Sequence, residues 1–140
     1  MRSGFYALVL SACAAVPTFP QAAPLQDPLL DHLIGAWVLH GSILGKETTH
    51  DVVANWILGH QYIEIREVSR EKNDHGQAKY EATVMVGWDA STSEYQCLWL
   101  DSTGGGGLSA QSIGRGKRCG DTIPFLWKDF VGTISFNNTF

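Results

Sequence analysis

Several well-known signatures are missing from this chain, and each absence removes a class of function. There is no phosphate-binding loop, no dinucleotide fingerprint and no nucleophile elbow. The run Gly104-Gly105-Gly106-Gly107 does not substitute for a phosphate loop, because the residues after it read as a strand and offer no helix N-terminus. Histidines never fall in His-x-His or His-Glu-x-x-His spacing. Positive charge is also scarce. Ten Lys and Arg against fourteen Asp and Glu leave a net charge of −4, and the one local basic group, Arg115, Lys117 and Arg118, reads as a solvated turn. A nucleic-acid protein would be basic and clustered. No stretch approaches the roughly 20 apolar residues of a spanning helix.

Cysteine is sparse as well, with three in 140 residues. Cys13 lies in an N-terminal segment that reads as an export signal over residues 1–23. Arg2 supplies its charge, Phe5 to Val16 its apolar stretch, and Gln21-Ala22-Ala23-Pro24 its end. Two processing routes fit. One is cleavage near Ala22 or Ala23. The other is lipid attachment at Cys13 within Leu10-Ser11-Ala12-Cys13, which would anchor the chain to a membrane without spanning it. The expected location is periplasmic or secreted, with an outer-membrane lipoprotein as the alternative. Cys97 and Cys119 remain, and export would permit a bridge between them; a buried thiol and an exposed turn thiol is the plainer reading.

What is present is 44% hydrophobic, enough for a folded core over residues 24–140. Residues 25–34 read as a short helix, with Asp27 as N-cap, Pro28 at the first helical position and Gly35 as terminator. The helical period then stops. Strands are expected at 35–42, 50–58, 61–69, 80–88, 94–101, 108–114, 122–127 and 133–140, with Gly59-His60 as a two-residue hairpin turn. Alternation places Tyr80, Ala82, Val84, Val86 and Trp88 on one face of the fourth strand. In the fifth, Tyr95, Cys97, Trp99 and Asp101 oppose Gln96, Leu98 and Leu100. Glu64 and Arg66 read as solvent-facing. The fold class is mainly β, an antiparallel barrel or sandwich of about eight strands behind one helix.

Gly35-Ala36-Trp37, opening a strand after a short helix, resembles the start of lipocalins and the wider calycin group, where the Trp plugs one end of the barrel. Gly45-Lys46-Glu47-Thr48-Thr49-His50, Trp56-Ile57-Leu58-Gly59, Gly87-Trp88-Asp89 and Leu98-Trp99-Leu100-Asp101-Ser102 resemble, in the same order, a bacterial family of exported proteins known as domain of unknown function 1579. The resemblance covers about residues 30–128. It implies a lipocalin-like up-and-down barrel and no established reaction. It also implies two further strands, so a barrel ending at Phe140 is expected to be incomplete and the chain truncated. The similar nitrobindin barrels hold haem through a late-strand His, and no His follows His75 here. No cofactor is expected.

Five tryptophans in one barrel point to an apolar ligand site. The expected lining is Trp56, Tyr62, Met85, Trp99 and Trp37, with Asp101 at the rim beside the glycine run. His40 and His50 flank Gly45 at nearly equal distances and are candidate cross-strand neighbours for a metal, completed by Asp51 or Glu47; the spacing does not favour it, and no metal site is assigned. No catalytic residue is assigned either. The function expected is binding of a small hydrophobic molecule. The alternatives are an enzyme working through rim Asp and His residues, with Asp89 and Asp101 as an acid/base pair, and a structural envelope protein with a filled barrel.

Overall fold

The computed structural model of the protein describes residues 22–43, 45–104, 107–128 and 135–139. The expected export segment falls outside these except for Ala22 and Ala23, and Cys13 lies outside them. The Ala23 carbonyl accepts a hydrogen bond from Gln61 Nε2 at 2.6 Å.

Asp27 behaves as its residue type dictates. It is extended, and its Oδ1 accepts from the Leu29 and Leu30 amides at 3.0 and 3.3 Å. The helix it starts, α1 (Pro28–Asp31), is one turn, shorter than the 25–34 span expected. After Asp31 the bonds tighten to three-residue spacing, Leu33 to Leu30 and Ile34 to Asp31, which unwinds the α period. Gly35 at φ +137° then turns the chain into the sheet.

Eight strands follow: β1 (Gly35–Ile43), β2 (Lys46–Ile57), β3 (Tyr62–Ser69), β4 (Glu81–Asp89), β5 (Glu94–Asp101), β6 (Ile113–Gly116), β7 (Pro124–Lys128) and β8 (Ser135–Thr139). Each pairs antiparallel with the next, in sequence order. The sheet curls into a half-barrel, and among the described residues β1 and β8 do not pair with each other. The architecture is the mainly β, lipocalin-like incomplete barrel expected from the sequence.

Two expected details are corrected. The β2–β3 connection is a four-residue loop, Leu58 to Gln61, closed by the pair Ile57 and Tyr62. Leu58, Gly59 and His60 all have positive φ, which a type II′ turn does not use. The sixth strand begins at Ile113 rather than Leu108. Ala110–Ser112 is a 3₁₀ turn instead, where the Ser112 hydroxyl bonds the Gly107 carbonyl and its amide bonds the Ser109 carbonyl. Serine bonding to nearby backbone competes with the ladder, and here it wins.

The core lies on the inner face of the curl. It takes Val52 and Ala54 from β2, Ile63 and Ile65 from β3, Val84 and Val86 from β4, Tyr95 and Cys97 from β5, and Phe125 from β7. Helix α1 covers one end, with Leu30 fully buried against these residues. Gly114 is a consequence of this packing. A Cβ there would sit 2.4 Å from the Trp127 ring. The opposite end carries the β1–β2 hairpin, the residues after β3 and the loop after β5. No described helix is long and apolar enough to cross a membrane.

Candidate functional site

Strand parity sorts the five aromatic and Met residues of the expected site into two groups. Trp99 pairs with Val84, Trp56 with Ile63 and Trp37 with Val52, so these three share the inner face. Met85 pairs with Leu98 and Tyr62 with Gly87, on the outer face. A single cavity lined by all of them is therefore not what the sheet builds. Tyr62 lies over Gly87, where an added Cβ would meet its ring at 2.5 Å. With Met85 and Leu98 it lines a shallow outer groove of about 340 Å³.

The inner residues have different tasks. Trp56 is partly buried, donates its indole N–H to Asp31 at 2.8 Å and stacks on His60 at 4.0 Å, so it joins α1 to the sheet. Trp37 donates to the Leu33 carbonyl at 2.9 Å, yet remains 50% exposed. Its inner-face neighbour two residues on, Leu39, is also 50% exposed. Asp101 sits at the end of β5, where its Oδ1 accepts from the Thr103 amide at 2.8 Å and from the Thr103 hydroxyl. It caps its own turn.

The histidine pair is separated by the sheet. The register matches His50 with Leu39 and His40 with Thr49, one residue away from a His–His pairing. One residue of offset reverses the face. His40 therefore bonds the Thr49 hydroxyl on the outer side, and His50 points inward with 5% of its surface exposed.

His50 instead organises a polar network that the sequence reading did not assemble. Its Nδ1 meets the Glu67 carboxylate, and its Nε2 lies 2.7 Å from the Thr48 hydroxyl. That hydroxyl donates to Glu71 Oε2 at 2.9 Å, and the Thr49 amide donates to Glu71 Oε1 at 3.0 Å. Glu71's own backbone N–H, then these two donors, hold its carboxyl below the usual range. An ionised carboxylate has no hydrogen to give, and a hydroxyl has one. The Thr48 hydrogen is committed to Glu71, so His50 Nε2 must be the donor to Thr48. Hydroxyl, imidazole and carboxylate stand in the order of a hydrolase triad, but the imidazole donates to the hydroxyl where a triad base would accept from it. The arrangement ties β2, β3 and Glu71 together.

Tyr80 completes the inner end. Its ring stacks on His50 at 5.5 Å, and its hydroxyl accepts the Trp99 indole N–H at 3.1 Å. Trp99 meets Trp127 edge-on at 6.4 Å, and Trp127 donates to the Ser112 carbonyl at 3.1 Å. His50, Tyr80, Trp99 and Trp127 thus form an aromatic row from β2 to β7. Partial burial pushes the Tyr80 hydroxyl up from its ordinary range, the Trp99 N–H opposes this, and the Asp101 and Glu67 charges add to the rise. Period-two spacing placed Tyr80 on this face, and Thr48-x-His50 shares a face for the same reason. Nothing in the sequence announced their partners.

Cys97 is buried and Cys119 exposed, both as free thiols. No protein-family profile, no curated protein and no solved structure matches the chain.

Proposed function

We propose that this chain is an exported binding protein of the domain-of-unknown-function 1579 type, holding a small hydrophobic molecule against the inner face of its half-barrel. The observation that carries the reading is the state of Trp37 and Leu39. Both lie on the face that elsewhere forms the core, and each is half exposed. Apolar side chains on an inward face that stay accessible are what a hydrophobic ligand would cover. The aromatic row ending at Trp127 supplies further apolar wall. Export rests on the charged and apolar N-terminal segment, and family membership on the ordered motifs from Gly35 to Ser102.

Tryptophan fluorescence titrated with fatty acids, retinoids and tetrapyrroles tests the binding. Saturable quenching that is lost in Trp37→Ala supports it, and no quenching by any of the three classes overturns it. Export is tested separately, by whether the chain is recovered outside the cytoplasm with residues 1–23 removed or with lipid on Cys13.

A further inference from the structure

Resting on the binding reading above, we propose that Tyr80 is the polar contact of the site, and that the ligand is an uncharged apolar molecule bearing an acceptor oxygen, such as a ketone or an aldehyde. A phenolic hydroxyl accepts and also donates one hydrogen bond. The Tyr80 oxygen accepts from Trp99 Nε1 at 3.1 Å, but among the described residues nothing accepts its hydrogen. Both His50 nitrogens face Glu67 and Thr48, and among the described residues no hydrogen bond links the Tyr80 hydroxyl to the Asp101 or Glu67 carboxylate. Tyr80 is held in place by its stack on His50 and its bond from Trp99, so its oxygen is positioned before a ligand arrives. It is partly buried, with the indole of Trp99 beside it.

The charges decide the class of acceptor. Glu67 pairs with Ala82, and Ala82 with Asp101, so two carboxylates share the inner face across the strand that follows Tyr80. Both act electrostatically on the Tyr80 hydroxyl. A carboxylate ligand placed at that hydroxyl would be repelled by Asp101, which makes no ion pair among the described residues, whereas Glu67 is engaged by His50. A neutral carbonyl oxygen takes the hydrogen bond without that repulsion, and its apolar body can lie against Trp99 and Trp127.

Three naphthalenes of similar size test this with the full chain: 2-acetylnaphthalene with a neutral acceptor, 2-naphthoate with an anionic one, and 2-ethylnaphthalene with none. Dissociation constants are read by calorimetry, and the Trp99 indole N–H resonance is followed by NMR. The ketone is expected to bind about five- to tenfold more tightly than either of the others, the worth of one hydrogen bond. It should also shift the Trp99 resonance, whose acceptor it polarises. Tyr80→Phe should remove the ketone's advantage and leave the 2-ethylnaphthalene constant within about twofold. Equal binding of ketone and hydrocarbon, or tighter binding of naphthoate, overturns the role of Tyr80 while the hydrophobic site stands. No binding by any of the three overturns both the site and the contact.

Discussion

Asp27 and Tyr95 make the sharpest test of how this fold is held. Asp27 uses one carboxylate oxygen to cap α1 and the other to accept the Tyr95 hydroxyl, which comes from the middle of the sheet. Both residues are 7% exposed. Tyr95→Phe removes the donor and leaves a buried charged oxygen unpaired, a loss of about 2 kcal/mol for a bond to a charged group. Asp27→Ala removes that bond and also the cap, worth about 1 kcal/mol more, for a total near 3 kcal/mol. The double variant loses the same two things and no more, so it should also fall by about 3 kcal/mol, where additive singles would reach about 5. The expected coupling is about 2 kcal/mol, a large fraction of the 5–15 kcal/mol that stabilises a typical domain. Urea denaturation followed by fluorescence measures all four proteins, with a constant slope confirming that only stability changed. Additivity within about 0.5 kcal/mol would refute the idea that this bond clamps the helix to the sheet.

Four further outcomes follow from the packing and charge. The Tyr95 hydroxyl is pushed up to about 12 by burial and then by its bond to Asp27, so the folded chain keeps this proton after an unfolded one begins to lose it at its ordinary value of 10.0. The folded state therefore binds more protons between those values, and stability should fall as pH rises through that window; absorbance at 295 nm should show Tyr95 ionising last, and earlier in Asp27→Ala. Burial likewise pushes the Cys97 thiol up to about 12, so a thiol reagent should modify Cys119 in the native protein and Cys97 only after unfolding, as read by peptide mass mapping. Gly114→Ala should destabilise by about 1–3 kcal/mol in thermal or urea unfolding, because the Trp127 ring occupies the space of the new methyl. Glu67→Gln should lower stability by about 1–3 kcal/mol in the same assay, because it weakens the partner of a buried imidazole.

Much of the fold was legible because its causes are local. Asp27-Pro28 dictates where the helix starts, since the cap and the proline act on the next three residues. Alternation in 80–88 and 94–101 dictates that Val84 and Trp99 cannot share a face with Met85 and Leu98, since the side-chain period of a strand is two. Even the β2–β3 register was implied, because a turn at Gly59-His60 and the observed four-residue loop both set Ile57 opposite Tyr62. The site was harder to read. Grouping Tyr62 and Met85 with Trp99 required a comparison of parity across strands, and the ladder placed them on opposite sides.

The sequence by itself determined an antiparallel β chain with a capped helical turn in front, because backbone propensity, capping and alternation are written over a few neighbouring residues. Only the tertiary structure decided that His50 meets Glu67 rather than His40, and that Tyr80 meets Trp99. Those contacts join residues 17 and 19 positions apart. They depend on a register in which a single residue of slip would have turned His50 to the solvent side.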